Sequence, residues 1–273
     1  MPASLLLVLR MGLAGAALAV VFLLTGGVEE VRRSGRFRRM VVLGFVVALE
    51  MIFYFVSIRT SNVTVSVSLE YMAPVWVALL APWALRTRRR RIDLVAIAVA
   101  VGGMALLVLP AVIAGDGAVT IAGVVFGLLA GVMFATAMML VSSMGDVGVR
   151  GSTFALFYCA GAVILFSPLA VWQALSSGYS LTWADTWIVV VSGLVYTALC
   201  FSLFTDGLRY VRVEHAGILG YLEPVTSPFW AFLLIGEAPP WTTYAGGALI
   251  VAAGILVIVV GKGEPEALVE PLT

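Results

Sequence analysis

The sequence has few of the residues that build metal sites, disulfide frameworks or nucleic-acid surfaces. Only 11% of its 273 residues are charged, and the basic residues form short clusters between apolar runs, which excludes an extended basic face for nucleic acid. The single histidine, His215, has no potential ligand at suitable spacing, so we expect no metal site. Cys159 and Cys200 both fall in apolar runs, which favours small buried side chains over a disulfide.

Motifs for nucleotide-driven or hydrolytic chemistry are also missing. The sequence contains no P-loop, no glycine fingerprint for a dinucleotide, no serine elbow and no paired-aspartate motif. These absences argue against ATP-driven transport and against intramembrane catalysis by this chain. We therefore expect a protein that is not an enzyme and that uses no cofactor.

Apolar residues are present in excess. They make up 62% of the chain, and the mean hydropathy is +1.10, which is more apolar surface than one soluble core could bury. Runs long enough to cross about 30 Å of hydrocarbon as helices occur nine times, without the period-two alternation of a barrel. The predicted spans are Ser4–Leu24, Met40–Ile58, Val63–Leu85, Leu94–Ala114, Ile121–Ser143, Thr153–Leu175, Trp187–Thr205, Ala216–Ile235 and Tyr244–Val260. The predicted fold class is an all-α integral membrane protein.

The basic residues lie almost entirely on one side of these spans. Of the sixteen, one face receives Arg32, Arg33, Arg36, Arg38, Arg39, Arg86, Arg88, Arg89, Arg90, Arg91, Arg150, Arg209, Arg212 and Lys262. The other face receives Arg59, and Arg10 lies inside the first span. The positive-inside rule makes the first face cytoplasmic. We expect a multi-pass protein of the plasma membrane with its N-terminus outside and its C-terminus inside.

Two segments 150 positions apart resemble each other. When IRTSNVTVSVSLEYMAPV is aligned with LRYVRVEHAGILGYLEPV, Tyr71 falls on Tyr221 and Pro74 on Pro224. The segments belong to the third and eighth spans, which are five helices apart and so cross in opposite directions. The alignment therefore predicts an inverted repeat, an arrangement common among secondary transporters.

The same alignment divides the chain into two unequal repeats. Residues 1–115 are predicted to form the first repeat with four helices, residues 116–262 the second with five, and residues 263–273 a cytoplasmic tail. The span Ile121–Ser143 has no counterpart in the first half, so the first repeat lacks its first helix. Two explanations stay open: the protein works with nine helices, or the start of the chain has been assigned too late.

Two stretches of the sequence resemble a known family. The stretch GLRYVRVEHAGILGYLEPVTSPFWAFLLIGEAPPWTTYAGGALIVAAGILVIV is similar to the final repeat helices of EamA-type transporters, in the drug/metabolite transporter (DMT) superfamily. It shares a short basic turn, an LEPV segment, a GE turn and a glycine-rich last helix. YFVSIRTSNVTVSVSLEYMAPVWVALLAPWALRTRRRR resembles the equivalent part of the first repeat. The resemblance implies ten helices and the export of amino acids or related metabolites more often than their import.

Two glutamates fall near the middle of the repeat-related spans. Helical spacing places Glu70 and Glu223 on corresponding stripes, each about eight residues into its span. A charge facing lipid at that depth would cost at least about 2.5 kcal/mol, so we expect both acids to face one internal cavity, where they could couple proton and substrate. Tyr71 and Tyr221 add aromatic surfaces suited to organic cations or zwitterions.

Other residues of the spans are predicted to shape or gate this cavity. Pro74, Pro224 and Pro228 each remove a backbone donor and strain the preceding turn, so they predict helix breaks that allow bending. Glu223 could instead serve only to bind the backbone freed by the prolines. Glu50, in the middle of the second span, is expected to pair with Arg10 as a structural or gating ion pair, or to contribute to substrate binding.

These observations predict a secondary active transporter that moves a small organic metabolite or drug-like solute by alternating access. Proton-coupled export is the mode that buried acids would allow. Its expected partners are the solute, the lipid bilayer and protons. Two alternatives from other classes remain: a membrane enzyme or lipid-handling protein that holds a headgroup near one interface, and a transport-inactive truncated homologue.

Overall fold

Helices form all the regular secondary structure in the described part of the chain. The computed structural model describes residues 2–61, 63–84, 91–113, 120–144, 148–208, 210–211, 213–220, 226, 233 and 241–261. The elements are α1 Ala3–Leu24, α2 Gly27–Ser34, α3 Phe37–Thr60, α4 Val63–Glu70, α5 Ala73–Ala84, α6 Arg91–Ile113, α7 Ile121–Ser142, α8 Gly151–Ser177, α9 Trp183–Val190, a π-helix Val191–Leu199, α10 Cys200–Gly207, α11 Val213–Gly220 and α12 Trp241–Gly261.

Five of the helical segments are long and apolar enough to cross a membrane. They are Ser4–Leu24, Phe37–Thr60, Ile121–Ser142, Gly151–Ser177 and Trp183–Gly207. Each coincides within four residues at either end with one of the predicted spans, which supports the assignment of these runs as membrane helices. Shorter apolar segments of α6 and α12, Leu94–Leu106 and Tyr244–Ala253, fall inside two further predicted spans.

The third predicted span was wrong as a single helix. The structure divides it into α4, which ends at Glu70, and α5, which begins at Ala73, with a turn at Tyr71 and Met72 between them. Pro74 lies in the first turn of α5, where its missing N–H does no harm. The apolar pattern continues through the break because hydropathy reflects which side chains are buried. A proline breaks the helix through its effect on the backbone, which hydropathy does not record.

A short amphipathic helix, α2, follows the first span. Its residues lie between two predicted spans. Gly26 and Gly35 flank it with φ angles of 75° and 61°, a left-handed conformation that glycine adopts without strain. Val31 packs into the core, while Glu29 pairs with Arg33 at 2.8 Å on the exposed side. A connection between two spans can therefore form a helix even when it contains many charged residues.

The main core forms where α3 packs between α7 and α8. Further contacts join α1 to α8 and to the π-helix, and α10 to α8. Fully buried residues of this core include Met11, Met40, Val77, Phe154 and Cys159. A smaller core forms between α6 and α12, around Ala96, Ala100 and Ala253. The larger core surrounds the candidate site described below.

Glycines allow α3 and α8 to approach each other at the backbone. A Cβ atom on Gly44 would lie 2.5 Å from the carbonyl oxygen of Phe157, and one on Gly161 would overlap the carbonyl oxygen of Gly44. Both neighbours are backbone atoms, which cannot rotate away. Without strong hydrophobic attraction between helices in lipid, such close packing is a main source of helix association.

Substituting Gly161 should therefore destabilise the fold. We expect Gly161→Ala to lower the free energy of unfolding by about 1–3 kcal/mol, because the added methyl group forces α3 and α8 apart. Gly12→Ala is the matched control, since nothing lies within 4 Å of a Cβ at Gly12 in α1. Thermal unfolding of both purified variants in one detergent checks the prediction. Equal melting temperatures would contradict it.

A π-helix interrupts the span Trp183–Gly207. The hydroxyl of Thr197 donates to the carbonyl of Ser192, five residues earlier, at 2.8 Å. Gly193 faces α1, where a Cβ atom would lie 2.9 Å from the carbonyl oxygen of Arg10. The wider π turn thus brings this span against the part of α1 that carries Arg10. Such segments are rare and occur frequently at functional sites.

Candidate functional site

A narrow cavity runs through the main core. Its volume is about 20 Å³, and it is lined by Leu43, Val47, Glu50, Phe134, Ala137, Met138, Val141, Tyr158, Phe201, Phe204, Thr205 and Leu208. Glu50 and Tyr158 lie at one end, in mid-helix, while Val141, Leu208 and Leu43 lie toward the helix ends near the basic loops. This space holds about one water molecule. A metabolite would fit only if the surrounding helices moved.

The carboxyl group of Glu50 lies within hydrogen-bonding reach of the carboxyl group of Glu70. Glu50 projects from the middle of α3 and is 6% exposed. Glu70 is the last residue of α4. The register between the two helices is set one turn earlier in α4, where the buried hydroxyls of Ser57 and Ser66 lie 2.8 Å apart. Two carboxyl groups can hydrogen-bond to each other only when a proton lies between them.

Tyr158 of α8 lies beside this acid pair. Its ring lines the cavity next to Glu50 and stacks on Phe201 with 4.1 Å between ring centroids. Glu50, Glu70 and Arg10 lie near its hydroxyl. Arg10 approaches from α1 and also lies near Cys159. We call Arg10, Glu50, Glu70 and Tyr158 the central cluster; it combines one cation, two carboxyl groups and one phenol.

The break between α4 and α5 positions Glu70. The amide of Tyr71 still donates to Val67 at 3.0 Å, and that of Met72 to Leu69 at 3.2 Å, but Pro74 has no N–H to offer the carbonyl of Glu70. Gly131 of α7 packs directly on the break, because a Cβ there would lie 2.7 Å from the carbonyl oxygen of Leu69. The acid is thus held at a discontinuity of the backbone.

A second polar cluster lies at the end of the cavity nearer the basic loops. The carboxylate of Glu30 accepts hydrogen bonds at 2.8 Å from the backbone N–H of Arg150 and from the hydroxyl of Thr153, and forms an ion pair with the Arg150 guanidinium at 2.8 Å. Asp206 of α10 accepts the N–H of Gly151 at 2.6 Å. Two acids from different helices therefore bind the start of α8.

This end cluster also reaches the cavity lining. The hydroxyl of Thr205, a lining residue, donates to the carbonyl of Gly151 at 2.9 Å. The guanidinium of Arg150 donates to the carbonyl of Thr25 at 2.6 Å, which adds the turn between α1 and α2. We call Glu30, Arg150, Thr153 and Asp206 the end cluster. It joins α2, α8 and α10.

The structure brings some of the predicted site residues together and separates others. Glu50, Glu70 and Arg10 converge on Tyr158. Tyr71 instead packs against the smaller core between α6 and α12 and is not among the cavity-lining residues. Pro74 is buried beside the break. The remaining predictions, on Tyr221, Glu223, Pro224 and Pro228, lie outside the described residues.

Glu50 was expected to form an ion pair with Arg10 or to contribute to substrate binding. The described ion pairs include none between these residues, and the charged neighbour of Glu50 is Glu70. The guanidinium Nε of Arg10 is buried and has no hydrogen-bond partner among the described residues. Sequence spacing could not reveal this, because Arg10 lies on α1, which packs mainly on α8 and the π-helix.

Sequence analysis missed Tyr158, Glu30 and Asp206. Tyr158 occurs in an apolar run, where a tyrosine suggests ordinary packing. Asp206 falls at the end of an apolar run, where a solvated charge is expected, but it binds the first turn of α8. The available signal was the position of Arg150 and Gly151 directly before a span, since the free N–H groups of a helix start attract carboxylates.

Comparison with known proteins gives one consistent result. A model of the EamA-like transporter family matches residues 1–109 and 121–260. An uncharacterized transporter of Bacillus subtilis (strain 168), YxxF, is 27% identical over 83% of this chain and 71% of its own length. An uncharacterized transporter of Archaeoglobus fulgidus is 29% identical over 75% and 70%. A crystal structure with 18% identity superposes with a TM-score of 0.78, covering 96% of this chain and 89% of the other.

Proposed function

The chain belongs to the EamA-like transporter family and is a membrane transporter, and on that premise we propose that it moves a small organic metabolite or drug-like solute by alternating access. The solute would occupy an expanded form of the cavity at the central cluster. Export coupled to the proton gradient is the proposed direction. In this proposal the two carboxyl groups provide the proton site.

The observation that carries the proposal is the position of the acid pair. Glu50 is buried in the main core, in the middle of a membrane-spanning helix, and it lines the cavity. Ionisable residues at that depth are costly and usually mark a substrate or proton path. Neutral side chains could fill a purely structural role at a lower free-energy cost, because burying a charge in a medium of low dielectric constant is unfavourable.

Two features support alternating access. The family match falls into two separate segments, which supports a division into two repeats near residue 115. The break at Tyr71 and Met72 gives α4 and α5 a point about which one can tilt against the other. Discontinuous helices at the repeat interface are the usual place for a transporter's binding site.

The described state is closed at the end nearer the basic loops. The end cluster joins α2, α8 and α10 there, and the cavity behind it is too small for a metabolite. We assign this end to the cytoplasmic side from the distribution of arginines. Opening toward the cytoplasm would then require the hydrogen bonds of the end cluster to break.

Transport measurements on reconstituted protein test the proposal. Vesicles containing the native chain, Glu50→Gln, Glu70→Gln or Glu29→Gln are given a pH gradient and a panel of amines, amino acids and carboxylic acids. We expect at least one solute to be moved by the native chain and by Glu29→Gln, whose acid is on the exposed side of α2. Flux should fall at least about tenfold in both central variants, which lose the proton site.

Native flux in both central variants would remove the proposed role of the acid pair. Flux that is driven equally well with no pH gradient and with an inverted gradient would remove proton coupling while leaving transport intact. Because glutamine has nearly the size of glutamate, the melting temperature of each variant separates loss of transport from loss of folding.

A further inference from the structure

We propose that the exposed side of α2 and the first turn of α3 form a binding surface for the headgroup of an anionic phospholipid. The lipid belongs to the leaflet on the arginine-rich face, which the proposed orientation makes cytoplasmic. The residues of α2 are not among those that line the cavity, so the proposal does not depend on which solute is carried. It follows from the place of α2 in the fold, from its exposed side chains and from their charge.

The helix α2 lies where lipid headgroups meet water. It connects two segments that can cross a membrane, one that ends at Leu24 and one that begins at Phe37. Glu30 of α2 accepts the N–H of Arg150, directly before α8, and the ring of Phe37 lies 5.9 Å from that of Phe157 in the second turn of α8. The helix α2 and the starts of α3 and α8 therefore lie together at one face of the protein.

The two sides of α2 have different environments. Gly27 and Val31 are buried against the protein, and Glu30 is bonded to α8. Val28 is 60% exposed, and the side chain of Arg32, four residues later on the same strip of the helix, is 82% exposed. Such a strip suits a membrane interface, where the apolar side chain faces acyl chains and the guanidinium reaches the phosphates.

Positive charge is in excess on this surface. Residues 27–40 contain two glutamates and five arginines, which are Arg32, Arg33, Arg36, Arg38 and Arg39. All of these arginines except Arg36, which is partly buried, are exposed. Glu30 is paired with Arg150, which leaves Glu29 as the acid of α2 on the exposed side. A basic segment next to a membrane span attracts anionic lipid, and guanidinium groups bind phosphate oxygens through charge-assisted hydrogen bonds.

Exposed apolar side chains favour a lipid over a soluble anion or an acidic protein. Leu23 and Leu24 precede α2, Val28 lies on it, and Phe37 follows it, and all four are exposed. In a membrane protein these side chains contact acyl chains, so the arginines beside them lie at headgroup depth. A soluble anion would gain nothing from the apolar side chains, whereas a phospholipid contacts both.

Lipid binding acts on the end cluster through α2. The headgroup would contact the exposed side of this helix, while Glu30 on the other side is bonded to Arg150 and Thr153. A headgroup that holds α2 at the membrane surface also keeps Glu30 against the start of α8. Anionic lipid is therefore expected to stabilise the described closed arrangement.

Thermal unfolding of the purified full-length chain in mixed micelles tests the proposal. Micelles of a neutral detergent receive increasing mole fractions of phosphatidylglycerol, or of phosphatidylcholine with the same acyl chains. A lipid that binds the folded form raises the melting temperature by mass action. We expect phosphatidylglycerol to reach half of its effect at a mole fraction at least about tenfold lower than phosphatidylcholine. Salt at 1 M should reduce this preference, because the Debye length falls to about 3 Å.

Double variants locate the surface. Arg32→Gln with Arg33→Gln, and Arg38→Gln with Arg39→Gln, should each weaken phosphatidylglycerol binding more than about tenfold, since each cation near the surface contributes roughly fivefold. Lysine at positions 32 and 33 should preserve the preference, because it keeps the charge. Arg59→Gln is the matched control and should behave like the native chain, since Arg59 is exposed in the last turn of α3, at the opposite end from Arg38.

The melting temperature without added lipid shows whether each variant is folded, and either double variant serves where the other is not. Any of the following results would overturn the proposal: equal effects of the two lipids, native affinity in a folded double variant, the same loss with lysine as with glutamine, or an equal loss in Arg59→Gln. An equal rise in melting temperature with soluble glycerol phosphate would also overturn it, since the site would then bind a free phosphate. The proposed transport function is tested with other residues and stands or falls separately.

Discussion

Replacing Glu30 by alanine is expected to lower the free energy of unfolding by about 3 kcal/mol. Its carboxylate accepts two hydrogen bonds and forms the ion pair with Arg150, and its side chain is only 10% exposed. Removing one partner of a buried ion pair costs about 3–5 kcal/mol. The guanidinium of Arg150 is 41% exposed and can turn to water, which places the expected loss at the lower end.

The neighbouring acid supplies the control. Glu29 lies on the same helix and pairs with Arg32 and Arg33, but those guanidinium groups are largely exposed. Ion pairs of that kind contribute up to about 1 kcal/mol, so Glu29→Ala should change the stability little. Chemical or thermal unfolding of both variants in one detergent gives the comparison. A Glu30→Ala variant as stable as Glu29→Ala would show that the end cluster does not hold the start of α8.

Raising the salt concentration separates the two acids further. Screening acts mainly on exposed charges, because the Debye length falls to about 3 Å at 1 M salt. We expect any contribution of Glu29 to vanish under those conditions. The loss in Glu30→Ala should persist, since much of it comes from short hydrogen bonds to the backbone of Arg150 and to Thr153.

The long spans were predictable because lipid imposes a simple length rule. A run such as that of α8 must be helical to satisfy its backbone in hydrocarbon, and its limits follow from where apolar residues stop. Hydropathy carries no such information about the backbone inside a run. It therefore gave no sign of the turn at Tyr71, which only the helix break predicted from Pro74 indicated, and no sign of the π-helix, which begins at Val191 without any proline.

The central cluster could be predicted only in part. The cost of a buried charge was enough to select Glu50 and Glu70 from the sequence, since each interrupts an apolar run. Their pairing was not predictable, because it depends on the register of α3 against α4, which the Ser57 and Ser66 hydroxyls fix in three dimensions. Whether Glu50 pairs with Arg10 likewise depends on how α1 and α3 pack, which sequence spacing does not determine.

The end cluster shows a different limit. Glu30 is surrounded by Glu29, Arg32 and Arg33, and a mixed charge segment of this kind normally indicates a solvated loop. Its function depends on an N–H group 120 residues away, at the start of α8. A single sequence contains no record of such long-range pairs. Local capping patterns are visible, as at Thr182 and Asp185 at the start of α9, because both partners lie close together in the chain.

Replacing Pro74 by alanine is expected to reduce transport about a hundredfold while raising the stability of the protein. Alanine supplies an N–H that can bond the carbonyl of Glu70 and removes the ring that would clash with that carbonyl in a continuous helix, together worth about 3 kcal/mol in favour of joining α4 and α5. If α4 and α5 join, every state that requires the bend becomes rarer by that amount, and each 1.4 kcal/mol corresponds to a factor of ten.

The opposite signs of the two effects make this prediction specific. A variant that merely damages the structure loses stability and transport together, whereas Pro74→Ala should melt higher and transport more slowly. Pro168→Ala is the matched control, because Pro168 lies inside α8, which continues through it without a break. It should leave the rate of transport near that of the native chain. Unchanged transport in a Pro74→Ala variant that melts higher would show that the bend at Tyr71 and Met72 plays no part in alternating access.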